Sequence, residues 1–128
     1  MHVAIAAPEG YKPDAGVLAK AREAGIEFTV TGDPAEAAAG AHAVYTDVWA
    51  SMGQEAEAEE RKRVFAPYQV NDEVMARSAA GSIFLHCLPA KRGQEVTDSV
   101  MESPASAIFD QAENRLHAQK ALLLMLLK

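Results

Sequence analysis

Short apolar runs alternate along this chain with segments of helical periodicity. Four of the runs are rich in strand-forming residues and are bounded by proline or glycine, which predicts buried strands. They cover residues 2–7, 26–31, 43–46 and the first part of 82–89, where Pro89 ends the run. Strands that alternate with helices in this way are typical of a parallel sheet with crossover helices.

Capping residues and glycines mark the helix boundaries. Asp14 and Asn71 are each placed to cap a helix, and Asp33 precedes a proline at a first helical position. Asp110 and Glu113 have the spacing of a capping box at the start of the last helix. The predicted helices cover residues 14–24, 34–39, 54–65, 72–78, 95–101 and 110–127.

These elements predict one α/β domain over residues 1–128, built as a three-layer, doubly wound parallel sheet of about four strands. Ligands of such sheets bind outside the carboxyl ends of the strands. Asp47 follows the third strand, and His86 and Cys87 end the fourth. Right-handed crossovers make these two strands neighbours, so their terminal residues are expected to lie along one edge.

The composition indicates which kinds of binding partner and which cellular setting to expect. The chain has 128 residues, of which 49% are hydrophobic and 23% charged, and its formal net charge is -6. This is typical of a folded protein and lacks the basic surface of a nucleic-acid-binding one. One cysteine cannot form an internal disulfide, which favours a cytoplasmic setting. Without a basic leader or a long apolar run, neither a signal peptide nor a membrane segment is expected.

Each candidate residue also has a purely structural interpretation. Cys87 could be a buried structural cysteine, since free cysteine is among the most buried residue types. Asp47 could cap a loop or helix, Ser51 alone carries little weight, and Met52 could fill the core. Arg115 lies near the N-terminal end of the last helix, where a cation opposes the helix dipole. That position favours an anionic ligand or, alternatively, a surface salt bridge.

No metal or organic cofactor is predicted for this chain. The histidines are His2, His42, His86 and His117, and their separations do not have the spacing of a zinc site. A single cysteine cannot supply the additional ligands that such a site needs. The candidate chemistry therefore depends on side chains alone.

Three motifs together resemble ornithine carbamoyltransferase. They are Asp-Val-Trp-Ala-Ser-Met-Gly at 47–53, His-Cys-Leu-Pro at 86–89 and Asp-Gln-Ala-Glu-Asn-Arg-Leu-His at 110–117. Their order and spacing also match that family, and the similarity runs from about residue 2 to the end of the chain. Each motif alone is moderate evidence, and the three in sequence are strong evidence.

The resemblance implies a reaction and a set of site residues. In that family the side-chain amine of ornithine attacks the carbamoyl carbon of carbamoyl phosphate, which yields citrulline and phosphate in arginine biosynthesis. The implied catalytic residues are Cys87, whose thiol or thiolate can influence the amine proton, and Arg115, whose guanidinium can neutralise charge on oxygen. The implied substrate-binding residues are Asp47, Ser51, Met52, His86 and Leu88.

Two parts of the family pattern are absent from this sequence. They are the N-terminal carbamoyl-phosphate domain, with its Ser-Thr-Arg-Thr-Arg signature, and the first strand-loop-helix unit of the ornithine domain. We therefore expect a fragment without carbamoyl transfer of its own, which binds ornithine weakly or not at all and meets carbamoyl phosphate only with the missing domain. The alternative is a non-catalytic, truncated or engineered α/β fold module without tight ligand binding.

The missing unit also affects the expected strand order. It contains the central strand of a Rossmann-like sheet of order 3-2-1-4-5, and its loss leaves a gap. We expect the gap to close to the flavodoxin-like order 2-1-3-4, with pairing in trans by a second copy as the alternative. The last helix is apolar on all sides over residues 122–127, which favours a homodimer through this helix or a relocated helix.

Overall fold

The computed structural model describes residues 1–50, 53 and 55–127. Within these ranges the chain forms four strands, six α-helices and two 3-10 turns. The strands are β1 His2–Ala6, β2 Glu27–Thr31, β3 Ala43–Thr46 and β4 Ile83–His86. The helices are α1 Ala15–Glu23, α2 Pro34–Ala38, α3 Ala58–Phe65, α4 Asp72–Met75, α5 Asp98–Met101 and α6 Ile108–Leu126, and the 3-10 turns are Glu55–Glu57 and Ala66–Tyr68.

Capping side chains hold three of the predicted helix starts. The carboxylate of Asp14 accepts hydrogen bonds from two backbone N–H groups of α1, at 2.9 and 3.1 Å. Asp33 caps α2 with a bond of 2.8 Å, and Asn71 caps α4 with one of 3.0 Å. Each cap satisfies an N–H group that has no partner inside the helix and contributes about 1 kcal/mol.

The helix predicted over residues 95–101 is shorter than expected. It begins at Asp98, behind a cap formed by Thr97, and Glu95 precedes it outside any helix. The Glu95 C=O accepts from the Val70 N–H at 2.9 Å, and the Thr97 N–H donates to the Val70 C=O at 3.1 Å. These long-range backbone bonds replace the helical bonds that the local pattern predicts.

The last helix begins earlier than predicted and without the predicted cap. Its first residue is Ile108, and no side-chain hydrogen bond caps it. The Ala107 N–H donates to the C=O of Phe84 on β4 at 2.9 Å. This tertiary bond fixes the start of α6 ahead of Asp110, so the capping box of Asp110 and Glu113 is not formed.

Strands pair in two parallel couples. β1 pairs with β2, with His2 opposite Glu27, and β3 pairs with β4, with Thr46 opposite His86. α2 packs against β1 and β2, and α6 packs against β4. The predicted adjacency of the third and fourth strands is confirmed, and the residues that follow them lie side by side.

The four strands do not join into one sheet, so the expected flavodoxin-like order 2-1-3-4 is not formed. That order requires backbone pairing between β1 and β3, which the described residues do not make. A cavity of about 400 Å³ is present, and its lining includes Ala4 and Ala6 of β1 and Ala43 and Tyr45 of β3. The architecture is therefore α/β with two parallel strand couples on either side of a gap.

Contacts at both ends of the gap join the two strand couples. At the carboxyl end the Tyr68 hydroxyl donates to the Gly32 C=O at 2.8 Å, and the rings of Tyr11 and Phe65 meet edge-on, 4.9 Å apart. At the amino end the Gly40 N–H donates at 2.9 Å to a carbonyl of the turn after α4, and α2 packs against α4.

The main core lies beneath β4, in the second half of the chain. Its buried hydrophobic residues are Val70, Phe84, Val96, Val100, Met101 and Ile108. The other buried hydrophobic residues in the described ranges are the small Ala7 and Ala38. Because apolar burial is the dominant favourable term in folding, β3 and β4 with their helices form the more stable half.

The C-terminal end of α6 is uncovered. Every side chain from Leu122 to Leu127 is exposed, with exposed fractions between 54% and 80%. The homodimer expected through this helix therefore stays a prediction, and sedimentation of the purified chain at the monomer mass would contradict it. Among the described residues, no helix has both the length and the apolar character needed to cross a bilayer.

Candidate functional site

A carboxylate and a thiol meet where β3 and β4 end. Asp47 directly follows β3 and Cys87 directly follows β4. The thiol Sγ of Cys87 donates to Oδ1 of Asp47 at 3.1 Å, and both residues are exposed. Tyr45 lies close enough to hydrogen-bond Cys87. We call Asp47, Cys87 and Tyr45 the rim.

The rim favours the protonated form of the thiol. The hydrogen bond to Asp47 is the largest cause that raises the pKa of Cys87, and burial adds to it. Burial, followed by the contact with Cys87, also raises the pKa of Tyr45. Cys87 is therefore a hydrogen-bond donor near neutral pH, and of the thiol and thiolate forms the geometry favours the thiol.

Replacing Asp47 with asparagine is expected to lower the pKa of Cys87. The substitution removes the carboxylate that holds the proton on sulfur, so the thiolate forms at a lower pH. Alkylation by iodoacetamide follows the thiolate fraction, and each unit of pKa lowering speeds it about tenfold below the midpoint. The rate is measured against pH and reports on Cys87 alone, since the chain has one cysteine.

The control for this experiment is Glu23→Gln, which removes one exposed carboxylate at the end of α1. It should leave the alkylation profile of Cys87 unchanged. Identical profiles for Asp47→Asn and the unmodified chain would contradict the assigned hydrogen bond.

The residue after Cys87 adopts a strained turn. Leu88 has a φ of 54°, in the left-handed region that a residue with a bulky side chain rarely adopts, and its bond to Pro89 is cis. The Leu88 N–H donates to Nδ1 of His86 at 2.9 Å. Its side chain packs against the core and is half-buried. The imidazole and the core together offset the strain of the turn.

His86 lies beneath the rim and has no exposed surface. Because Nδ1 accepts a backbone N–H, the neutral ring carries its proton on Nε2. Nε2 lies 3.3 Å from Oε1 of Glu95. His86, which the resemblance implied would contact ornithine, therefore lies behind the turn at Leu88. Its ring supports the backbone of that turn.

Glu95 is, together with Tyr45, a site residue that the sequence did not lead us to expect. It is fully buried, and its Oε1 accepts the Lys91 N–H at 2.5 Å. Its Oε2 and the Nε2 of His86 are buried without a hydrogen-bond partner among the described residues. The only local signal was that Glu95 directly precedes two β-branched residues. This pattern does not distinguish a helix start from a buried turn.

The structure does not bring Arg115 into contact with the rim. The residue is exposed on α6, and no hydrogen bond or ion pair within the described ranges involves it. Gln111, one helical turn earlier, is close enough to Tyr45 to influence its pKa, so the rim adjoins this part of α6. Ser51 and Met52, expected to bind ornithine, lie outside the described residues.

Three potential metal ligands lie near one another at the rim. Ligand atoms of Asp47, His86 and Cys87 are all within 4.8 Å of each other. Both ring nitrogens of His86 are already oriented, Nδ1 toward Leu88 and Nε2 toward Glu95. A metal would have to replace one of these contacts, whereas an amine could bind Asp47 without disturbing the imidazole.

Aromatic side chains and one arginine border the gap next to the rim. The rings of Trp49 and Phe65 stack with their centroids 6.3 Å apart, and the guanidinium of Arg61 lies 5.0 Å from the centre of the Tyr11 ring. Arg61 also forms an ion pair with Glu57 at 3.0 Å and donates to the Trp49 C=O at 3.3 Å. This guanidinium is held by protein groups, which gives it a structural role.

Comparison with known proteins gives consistent matches. Residues 1–126 match the family described as aspartate/ornithine carbamoyltransferase, Asp/Orn binding domain. The ornithine carbamoyltransferase of Sorangium cellulosum is 58% identical over 126 residues, a match that covers 98% of this chain and 40% of that protein. The chain therefore spans about 40% of the length of this relative.

Solved structures agree with the observed fold. The ornithine carbamoyltransferase from Pyrococcus furiosus superposes with a TM-score of 0.85 at 54% identity, over 95% of this chain and 40% of the other. The anabolic ornithine carbamoyltransferase from Campylobacter jejuni gives a TM-score of 0.90 at 36% identity, over 98% and 43%. Each match covers nearly all of this chain and less than half of the other protein.

Proposed function

This chain belongs to the aspartate/ornithine carbamoyltransferase family through the Asp/Orn-binding domain, and we propose that its rim binds the side-chain amine of ornithine. The observation that carries the proposal is the 3.1 Å hydrogen bond between Cys87 and Asp47 at the ends of adjacent parallel strands. A carboxylate at this edge can accept hydrogen bonds from an amine, and parallel sheets bind ligands there.

In the proposed mechanism the rim positions the nucleophile. The carboxylate of Asp47 orients the amine, and the protonated Cys87 donates a hydrogen bond that keeps this carboxylate in place. The neutral amine nitrogen bonds to the carbamoyl carbon, the carbon–oxygen bond to phosphate breaks with its electron pair leaving on the phosphate oxygen, and the proton of the nitrogen passes to the departing phosphate. Ser51 and Met52 complete the ornithine contacts, and Arg115 approaches the carbamoyl oxygen when substrate is bound.

We propose that carbamoyl phosphate binds only when the remaining part of a family enzyme is present. The chain spans about 40% of the length of its relatives. Near the rim, Arg61 is held by Glu57 and by the Trp49 C=O, so it is not free to receive a phosphate. Among the described residues that border the gap, Arg61 therefore offers phosphoryl oxygens no free cationic donor of the kind that stabilises a leaving phosphate.

Titration with L-ornithine tests the proposed site. We expect millimolar or weaker binding, with NMR shifts centred on Asp47 and Cys87, because one charged contact without full enclosure contributes only about 1.5–3 kcal/mol. Asp47→Asn should abolish the shifts, and Glu23→Gln, which removes the same charge at a distance, should preserve them. With both substrates present, the isolated chain should form no citrulline.

The alternative function is a non-catalytic α/β module without a specific ligand. It predicts that ornithine produces no shifts at the rim at any concentration, or equal shifts for Asp47→Asn and the unmodified chain. Clear citrulline formation would contradict both the alternative and the proposed need for the rest of the enzyme. Binding and turnover are therefore measured separately.

A further inference from the structure

Tyr45 has no part in the mechanism above, although it lies next to the thiol that this mechanism uses. We propose that Tyr45 is a positioning residue, whose hydroxyl donates to the sulfur of Cys87 and thereby directs the thiol proton toward Asp47. The effect of this contact on ornithine rests on the proposed function, whereas the contact between the two side chains does not.

The register of β3 and β4 brings the side chains of Tyr45 and Cys87 to one face. Tyr45 is opposite Leu85 in the parallel pair. Residues two apart along a strand point to the same face, so Tyr45 shares its face with Asp47, and Leu85 shares its face with Cys87. Cys87 is therefore the diagonal neighbour of Tyr45 across the strand pair, and all three members of the rim are exposed.

The two hydrogen bonds expected at the sulfur have opposite directions. Sγ of Cys87 donates to Oδ1 of Asp47 at 3.1 Å. A thiol has a single proton, so a second hydrogen bond to the same sulfur requires an outside donor. The Tyr45 hydroxyl lies close enough to supply it, and a hydroxyl can turn its proton toward an acceptor.

The pKa values of the two side chains agree with these directions. The hydrogen bond to Asp47 is the largest influence on Cys87 and raises the pKa of its thiol, whereas the contact with Tyr45 lowers it. A donor to sulfur stabilises the thiolate, which is the sign of the effect that Tyr45 has. Burial, followed by the contact with Cys87, raises the pKa of Tyr45, as expected for a phenol that donates its proton.

Gln111 of α6 gives the Tyr45 hydroxyl a second neighbour. Its effect on the pKa of Tyr45 opposes the effects of burial and of Cys87, which is the sign expected of an amide N–H that donates to the phenol oxygen. The amide oxygen, Oε1, is buried and has no hydrogen-bond partner among the described residues. With amide N–H groups at its oxygen, the hydroxyl directs its own proton to the sulfur.

A directed thiol holds the carboxylate of Asp47 in one orientation. The thiol of Cys87 and the backbone N–H of Val48 both donate to Oδ1, at 3.1 and 2.7 Å. Neither of these two donors bonds to Oδ2, which is therefore the oxygen that an amine can approach. If the Tyr45 hydroxyl is removed, the thiol can turn away, and the carboxylate loses one of the two donors that fix Oδ1.

Infrared spectroscopy of the S–H stretching band tests the role of Tyr45. The band reports on Cys87 alone, since the chain has one cysteine, and it shifts to lower frequency when the thiol donates to a carboxylate. Without ornithine, we expect one narrow band from the unmodified chain. Tyr45→Phe removes only the hydroxyl, so it should broaden the band and add a component at the position found for Asp47→Ala, in which the thiol has lost its acceptor.

The matched control is Tyr11→Phe, which also removes one tyrosine hydroxyl. The Tyr11 ring lies beyond β1 and contacts Phe65, so this variant should leave the S–H band unchanged. Gln111→Leu should broaden the band less than Tyr45→Phe, because the amide acts on the thiol only through Tyr45. An unaltered band in Tyr45→Phe, or the same change in Tyr11→Phe, would overturn the proposal.

Titration with L-ornithine, followed by NMR, separates this proposal from the proposed function. Tyr45→Phe should raise the half-saturating ornithine concentration about threefold, the effect of one neutral hydrogen bond, and Tyr11→Phe should leave it unchanged. Equal half-saturation for Tyr45→Phe and the unmodified chain would overturn the positioning role. An unmodified chain without any ornithine shifts would contradict the proposed function, and the S–H band would still decide whether Tyr45 directs the thiol.

Discussion

Glu95→Ala is expected to lower the free energy of unfolding by about 3 kcal/mol. The buried carboxyl accepts the Lys91 N–H at 2.5 Å and lies 3.3 Å from the His86 ring. Truncation leaves a buried N–H without an acceptor, adds a cavity and removes the group that faces Nε2. Urea unfolding, followed by circular dichroism, measures the loss through the transition midpoint at unchanged slope.

Two variants make the Glu95 result specific. Glu95→Gln keeps the Oε1 acceptor and the side-chain volume, so it should cost about 1 kcal/mol. Glu102→Ala removes an acidic side chain that is 61% exposed and pairs with Arg92, and it should cost at most about 1 kcal/mol. If Glu95→Ala cost no more than Glu102→Ala, the buried pair would not support the turn.

The Asp47 and Cys87 pair of the rim could be predicted from sequence because strand ends are local features, whereas Tyr45 was predicted only as part of the third strand. Asp47 and Cys87 each follow a short run of strand-forming residues, and the parallel pairing of β3 with β4 then places them side by side. The helix caps of Asp14 and Asn71 were predictable for the same reason, since a cap and its N–H partners lie within a few residues.

The buried layer beneath the rim could not be predicted in this way. Glu95 leaves the helix that its neighbours favour because its C=O bonds to Val70, which is remote in sequence. His86 is inaccessible because Leu88 turns over it with a left-handed backbone. Both outcomes depend on tertiary contacts that local propensity does not contain.

The gap is a second outcome that depends on distant contacts. Pairing rules alone favour closure of the sheet, since closure satisfies the edges of β1 and β3. The hydroxyl of Tyr68 and the C=O of Gly32, 36 residues apart, join the loops at the carboxyl end of the gap and tether the two strand couples there. No periodicity in the sequence indicates such a bond.

Phe84→Ala is expected to cost about 3–5 kcal/mol, the largest loss for any single substitution considered for this chain. The ring is fully buried in the cluster that contains Val96 and Ile108, whereas the β1 and β2 half adds only small buried side chains. A domain of this size has about 5–15 kcal/mol of stability in total. Loss of this ring should therefore lower the melting temperature by roughly 10–20 °C and leave a substantial unfolded fraction.

The adjacent residue provides the control for Phe84. Ile83 is on the same strand, but its side chain is 41% exposed, so Ile83→Ala should cost about 1 kcal/mol. Calorimetry measures the melting temperatures of both variants in the same buffer. Similar losses would show that the core does not lie beneath β4. A large loss for Phe84→Ala alone would mean that the strand ending at Cys87 is anchored by one aromatic side chain, and that the rim stays in place only while this side chain is packed.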